Sequence, residues 1–141
     1  MYGETGRAFS ITIATKHRAR VFEDVDFGLH CVDLLRDLKR KTEARIYAYC
    51  LMPDHVHLLI GVPGGETLPA LIRAWKSRCY QLRRRSGLAD PFWQRSYYDH
   101  AIRDNEDLRA AAEYILGNPV RAGIAESFRS YPLCGSFEFE L

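Results

Sequence analysis

Apolar and polar positions alternate from Ala8 to Thr15, and Ile11, Thr12, Ile13 and Thr15 are β-branched, which predicts a strand. A basic turn, Lys16 to Arg20, leads to a segment where Phe27, Cys31, Leu34, Leu35 and Leu38 recur at helical spacing behind a capping Asp24. That segment closes on Lys39-Arg40-Lys41, where a helix dipole favours cations. Arg45 to Leu51 and His55 to Val62 read as two strands joined by a Met52-Pro53-Asp54 turn, with Pro63-Gly64-Gly65 closing the hairpin. Thr67 caps a second helix with Leu68, Leu71, Ile72, Trp75, Cys79 and Leu82 on one face. After a loop from Ser86 to Pro91, a fourth strand is expected at Tyr98 to Ile102. A third helix, about 105–118, opens on Asp104 with Asp107 and carries the narrow apolar stripe Leu108, Ala111, Ala112 and Ile115. Pro119 ends or bends it, Val120 to Ile124 reads as a short helical turn stopped at Gly123, and the rest is a weakly patterned tail.

Strand, helix, strand, strand, helix, strand is the βαββαβ order of a ferredoxin-like split βαβ fold. The expected class is therefore α+β, with an antiparallel sheet, two helices on one face, a core of about 8–103 and a further helix C-terminal to it. With 141 residues, 47% of them apolar, and no shift in composition, the chain has room for one core, so a single domain over 1–141 is expected. A net charge of +2 and a pI near 8.4 are too close to neutral to imply nucleic acid by themselves. Cys31, Cys50, Cys79 and Cys134 lie far apart, three of them within apolar patterns, and read as free thiols of a reducing compartment. No apolar run approaches a membrane span, and the N-terminal residues, with Glu4 and Arg7, do not read as a signal peptide, so the cytoplasm is the expected location.

On a strand His55 and His57 share a face, and they are either a solvated pair or half of a metal site. Beside the apolar face of the second helix, Arg73, Lys76, Tyr80, Arg83 and Arg84 form a basic stripe. No acidic residue occurs between Glu66 and Asp90, so the stripe is expected to lack local partners. It is either a solvated face or a nucleic-acid contact with Tyr80 available for stacking, and Arg95 at a loop edge could join it. Tyr114 and Asn118, at i and i+4, would be neighbours on the third helix.

Together these residues suggest metal-assisted phosphoryl transfer. His55, His57 and the Asn118 side-chain oxygen would hold a divalent ion, and Tyr114 would attack the polarised phosphate. Imidazole and neutral amide ligands suit Mg²⁺ or Mn²⁺ better than a structural zinc. A rival set, His55, His57 and His100, would make a zinc-dependent hydrolase using activated water, and a nucleic-acid-binding module without catalysis is a third reading. Tyr97 and Tyr98 read as packing or stacking groups, Trp75 and Trp93 as core anchors, and His17 and His30 as surface residues.

Three ordered stretches carry a family resemblance: Met52-Pro53-Asp54-His55-Val56-His57-Leu58-Leu59-Ile60, Phe92-Trp93-Gln94-Arg95-Ser96-Tyr97-Tyr98-Asp99-His100, and Glu113-Tyr114-Ile115-Leu116-Gly117-Asn118-Pro119-Val120-Arg121-Ala122-Gly123. In these the chain resembles the REP-associated tyrosine transposases, relatives of the single-tyrosine transposases of the HUH endonuclease superfamily. The resemblance implies that His55, His57 and Asn118 are metal ligands and that Tyr114 is the nucleophile. It also implies cleavage of single-stranded DNA beside a hairpin, leaving a 5′-phosphotyrosine link and a free 3′-hydroxyl, by a monomer or a homodimer. The chain departs from the family pattern after Tyr131-Pro132, where Leu133-Cys134-Gly135-Ser136 stand.

Overall fold

Every second residue of His55–Val62 is drawn into one layer, so Val56, Leu58, Ile60 and Val62 are buried while His55 and His57 stand on the other side of the strand. The rest of the molecule is arranged around that division. A computed structural model describes residues 7–88 and 90–141; residues 1–6 of the expected domain and Ala89 of the expected loop lie outside the described residues. The strands are β1 (Arg7–Ala14), β2 (Arg45–Met52), β3 (His55–Val62), β4 (Tyr98–Ile102) and β5 (Cys134–Gly135). The helices are α1 (Val25–Thr42), α2 (Leu68–Arg85), α3 (Asn105–Leu116) and α4 (Asn118–Arg121). The sheet runs β4-β1-β3-β2-β5 with every neighbouring pair antiparallel. Its first four strands with α1 and α2 form the expected ferredoxin-like unit.

The helices begin where side chains satisfy their free N–H groups. Asp24 accepts from the Phe27 N–H at 3.1 Å, Thr67 from the Ala70 N–H at 3.3 Å and Asp104 from the Asp107 N–H at 2.9 Å. On one face of the sheet, α1 and α2 bury Phe27, Cys31, Leu35, Leu71, Ile72 and Trp75 against Ile11, Ile13, Leu58 and Ile60. Trp75 is 0% exposed, and its indole Nε1–H donates to the Cys31 carbonyl at 2.9 Å, tying α2 to α1. Trp93 is also anchored, donating from Nε1 to the Lys76 carbonyl at 3.0 Å.

On the opposite face, α3 sets Leu108, Ala112, Ile115 and Leu116 against Ala8, Ala48, Cys50, Leu59 and Ile102. Small residues in the sheet let this helix approach closely above β2 and β3. Tyr98 and His100 on the edge strand β4 stay exposed. All four cysteines are free thiols, with Cys134 partly exposed opposite the buried Cys50 across the β2–β5 pair. No helix among the described residues is long and apolar enough to cross a membrane.

Two elements differ from the sequence reading. The tail is ordered: Leu133 is buried, its carbonyl accepts from the Leu51 N–H at 2.8 Å, and the Tyr131 hydroxyl donates to the Leu51 carbonyl at 2.7 Å. Glu138 accepts from Lys39 Nζ at 2.6 Å and from the Ile46 N–H at 3.0 Å. A two-residue strand such as β5 is too short to show alternation, which is why the pattern does not reveal it. The third helix ends at Leu116, and Asn118 opens α4 with Pro119 in its first turn. Gly117 keeps right-handed helical dihedrals (φ −80°, ψ −7°), so Tyr114 and Asn118 remain one turn apart.

Candidate active site

The β3 register places His55 opposite Ala14 and Met52, and His57 opposite Thr12 and Cys50. Their rings lie 4.8 Å apart, centroid to centroid, at 87°. His55 Nδ1 donates to Asp54 Oδ1 at 2.7 Å, and the other oxygen of Asp54 accepts from Arg18 Nε at 3.1 Å. Burial works against the Asp54 carboxylate, but the bonds from His55 and Arg18 outweigh it and hold its pKa below the usual value. An ionised carboxylate only accepts, so the His55 proton sits on Nδ1 and Nε2 keeps a lone pair. Thr12 Oγ1 lies 3.2 Å from His57 Nδ1 and holds that ring in place. Burial first, then the charges of His55 and Arg121, push the His57 pKa down to about 4. His55 therefore has the oriented, Nε2-free form of a metal ligand backed by a hydrogen-bond partner, and His57 is oriented by Thr12.

The second half of the site lies around Gly117. Arg121 Nη2 donates to Asn118 Oδ1 at 2.6 Å and also to the Tyr114 carbonyl. Its guanidinium carbon lies 3.9 Å from the centroid of the Tyr114 ring, which is 64% exposed. A Cβ on Gly117 would sit 2.6 Å from Arg121 Nη1, so the missing side chain leaves the guanidinium room to lie over both residues. The charge of Arg121 is the smallest of the three causes that lower the His57 pKa. The sequence reading missed Arg121. Its signal was positional, seven residues after Tyr114 and three after Asn118 on one helical face.

His55, His57 and Asn118 carry imidazole nitrogens and an amide oxygen, donor types that a divalent cation can use. The His55 Nε2 lone pair is free, and Asn118 Nδ2 is buried without a hydrogen-bond partner. The Asn118 oxygen faces Arg121, and turning the amide over to present that oxygen to the buried side would break this bond and set the amino group against another donor. Among the described residues no group of three or more His, Cys, Asp or Glu side chains could hold a metal ion. The three-histidine zinc arrangement is not formed: His100 pairs with Ser10 on the far side of β1, two strand spacings or roughly 10 Å from the ledge. His100 and His57 share a face, but β1 separates their strands.

Four of the six residues expected to bind DNA meet in one place. Arg73, Lys76, Tyr80 and Arg95 line a groove of about 370 Å³ together with Trp93 and Tyr97. The stripe does have local partners, contrary to expectation. Lys76 donates to the Gln94 carbonyl at 2.9 Å and lies 5.9 Å from the Trp93 ring, and burial lowers its pKa. Arg83 lies over Phe27 and Phe92 at 5.7 and 5.5 Å, so its guanidinium covers the aromatic core, and neither it nor Arg84 lines the groove. The stripe is on the α2 side of the sheet, and the histidines are on the α3 side.

Residues 7–118 match the family model described as Transposase IS200 like. An Escherichia coli K12 protein described as a REP-associated tyrosine transposase is 30% identical over 95 residues, 67% of this chain and 56% of its own. A Haemophilus influenzae protein provisionally assigned to the same group is 31% identical over 96 residues, 60% of this chain and 54% of its own. The chain thus spans about half the length of the curated relatives it matches. A solved structure of the REP-associated tyrosine transposase bound to a REP hairpin aligns with 95% of this chain and 79% of its own, at a TM-score of 0.74 and 24% identity, a likeness of fold.

Proposed function

The chain belongs to the IS200-like transposase family, and from that premise we propose that it is a metal-dependent endonuclease and strand transferase of the HUH type. It cuts single-stranded DNA beside a hairpin in the cytoplasm and holds the 5′ end on Tyr114. The observation that carries this reading is the pairing of two imidazoles, oriented by Asp54 and Thr12 on one strand face, with a helix whose Arg121 holds both Tyr114 and Asn118. The hairpin substrate is inferred from the REP-associated relatives and from the hairpin-bound structure that shares this fold.

His55 Nε2, His57 Nε2 and the Asn118 amide oxygen would hold Mg²⁺ or Mn²⁺, which polarises the scissile phosphate when bound. Asp54 and Thr12 keep the imidazoles oriented, and the depressed pKa keeps His57 neutral. Tyr114 Oη gives up its proton and bonds to phosphorus as the P–O3′ bond breaks. The departing 3′-oxygen takes a proton, and the 5′-phosphate remains on the tyrosine. Attack by a 3′-hydroxyl on the phosphotyrosine reverses the step and joins strands. Arg121 brings positive charge beside the Tyr114 ring, where it can face the reacting phosphate. Either a monomer or a homodimer could assemble these residues into one site.

The test is incubation with Mg²⁺ or Mn²⁺ and a labelled hairpin carrying a single-stranded flank. Cleavage should be lost with EDTA, in His57→Ala and in Tyr114→Phe. Cleavage that survives Tyr114→Phe would assign the chemistry to activated water instead.

A further inference from the structure

The α2 groove and the histidine ledge face opposite sides of the sheet, and the β4 edge offers DNA held on α2 a route to the ledge. A second groove, of about 640 Å³, runs along that edge and is lined by Thr12, Lys16, His17, Arg18, Tyr97 and Tyr98 among others. Tyr97 also lines the α2 groove, so the two meet at this residue.

The edge groove is continuous with the candidate site at two points. Thr12 lines it and bonds His57, and Arg18 lines it and pairs with the Asp54 that holds His55. Tyr98, Thr12 and His57 form one row across β4, β1 and β3, which puts Tyr98 two strand spacings, roughly 10 Å, from His57. The Tyr98 ring is 83% exposed on the half of the sheet that α3 leaves open. An aromatic ring presented in this way is a platform for a base. Hydrogen bonds hold the backbone of the basic wall in an uncommon conformation. His17 and Arg18 adopt left-handed φ values of 58° and 55°, which side chains other than glycine disfavour. The buried Thr15 hydroxyl, 2.7 Å from the Ala19 carbonyl and 2.9 Å from that of Asp54, clamps the loop in that form. Strain retained next to a reacting centre is the pattern of a loop shaped for a ligand.

We propose that this edge groove binds the single strand carrying the scissile phosphate, with Tyr98 stacked on a base and Lys16 and Arg18 on backbone phosphates, while the α2 groove holds the hairpin stem. The proposal rests on the phosphoryl-transfer reading above and assigns the path of the strand to a site which that reading leaves open.

Fluorescence anisotropy of the full chain in EDTA, with a short labelled oligo(dT) and separately with a blunt hairpin lacking any flank, tests it without cleavage. Tyr98→Ala should weaken oligo(dT) binding about fivefold or more, the loss of one stacked base, and Tyr98→Phe should restore it. Lys16→Glu should weaken the same probe and flatten its salt dependence. Neither substitution should change blunt-hairpin binding, which Arg73→Glu should weaken. Tyr98 is exposed, so equal melting temperatures will show that each variant is folded. Unchanged oligo(dT) binding in Tyr98→Ala and Lys16→Glu, or an equal loss on the blunt hairpin, overturns the assignment. A covalent adduct on Tyr114 whose yield is indifferent to Tyr98→Ala and Lys16→Glu defeats the groove alone. Groove binding with no adduct under any metal defeats the catalytic reading and leaves the groove standing.

Discussion

Taking the pH from 7 to 4 should reduce the stability of the folded protein by about 2–3 kcal/mol through His57 alone. The ring is pushed to a pKa of about 4 by burial, then by the charges of His55 and Arg121, against 6.5 in an unfolded chain. Between those values the unfolded chain binds more protons, so stability is full above pH 6.5, falls as the pH drops and levels off below 4. At pH 7 the effect is only about 0.2 kcal/mol; at pH 4 the unfolded histidine is fully protonated and the native one half protonated, a difference of about 3 kcal/mol. Water reaches part of the ring, which trims the figure toward the lower end. Urea titrations followed by circular dichroism across this range, on wild type and His57→Asn, isolate the contribution because asparagine stays neutral beside Thr12. The acid titration of Asp54 lies below its usual value and is common to both proteins, so it cancels. The wild-type advantage over the variant should shrink by about 2–3 kcal/mol between pH 7 and pH 4. A difference that does not vary with pH would show that water reaches His57 freely and that the ledge is not the desolvated site described above.

Other outcomes follow from the same geometry. Mn²⁺ at about 100 times its dissociation constant should raise wild-type stability by about 2.7 kcal/mol, measured as a melting shift, and should leave His57→Ala unmoved; an equal shift in both would place the ion elsewhere. Gly117→Ala should fold with unchanged or slightly greater stability, since its dihedrals suit alanine and the clashing Arg121 guanidinium is exposed, yet strand cleavage should fall about tenfold as Arg121 is displaced. Full activity in that variant would remove Arg121 from the site. Gly28→Ala lies within α1, where alanine is ordinarily favoured, but its Cβ would meet the buried Leu133 Cδ1 at 2.5 Å, so thermal melting should show a loss of about 1–3 kcal/mol. A stabilised Gly28→Ala would mean that Leu133 is not seated against α1.

The main elements could be read from sequence because each has one buried face, whose period marks a strand or a helix. Val56, Leu58 and Ile60 gave β3, and Leu68, Leu71, Ile72 and Trp75 gave α2. What could not be read depends on neighbours distant in the chain. Alternation shows that His100 and His57 point the same way in their own strands, but the order β4-β1-β3 that separates them is a tertiary fact. The α2 stripe is visible as charge, yet only packing shows that Arg83 covers Phe27 and Phe92 and that the stripe lies behind the sheet from the histidines. Arg121 looks like an ordinary helix-end cation until Gly117 is seen to leave it space over Tyr114. The left-handed turn at His17 and Arg18 contains no glycine to announce it.

If the proposed chemistry operates, Tyr114 becomes covalently joined to DNA. Wild-type protein incubated with Mn²⁺ and a flanked hairpin, digested with trypsin and nuclease and examined by mass spectrometry, should yield the peptide containing Tyr114 with a 5′-nucleotide attached through the phenolic oxygen. Tyr114→Phe should yield none. Cleaved DNA with no adduct on any tyrosine, or an adduct on Tyr97 or Tyr98, would exclude Tyr114 as the nucleophile.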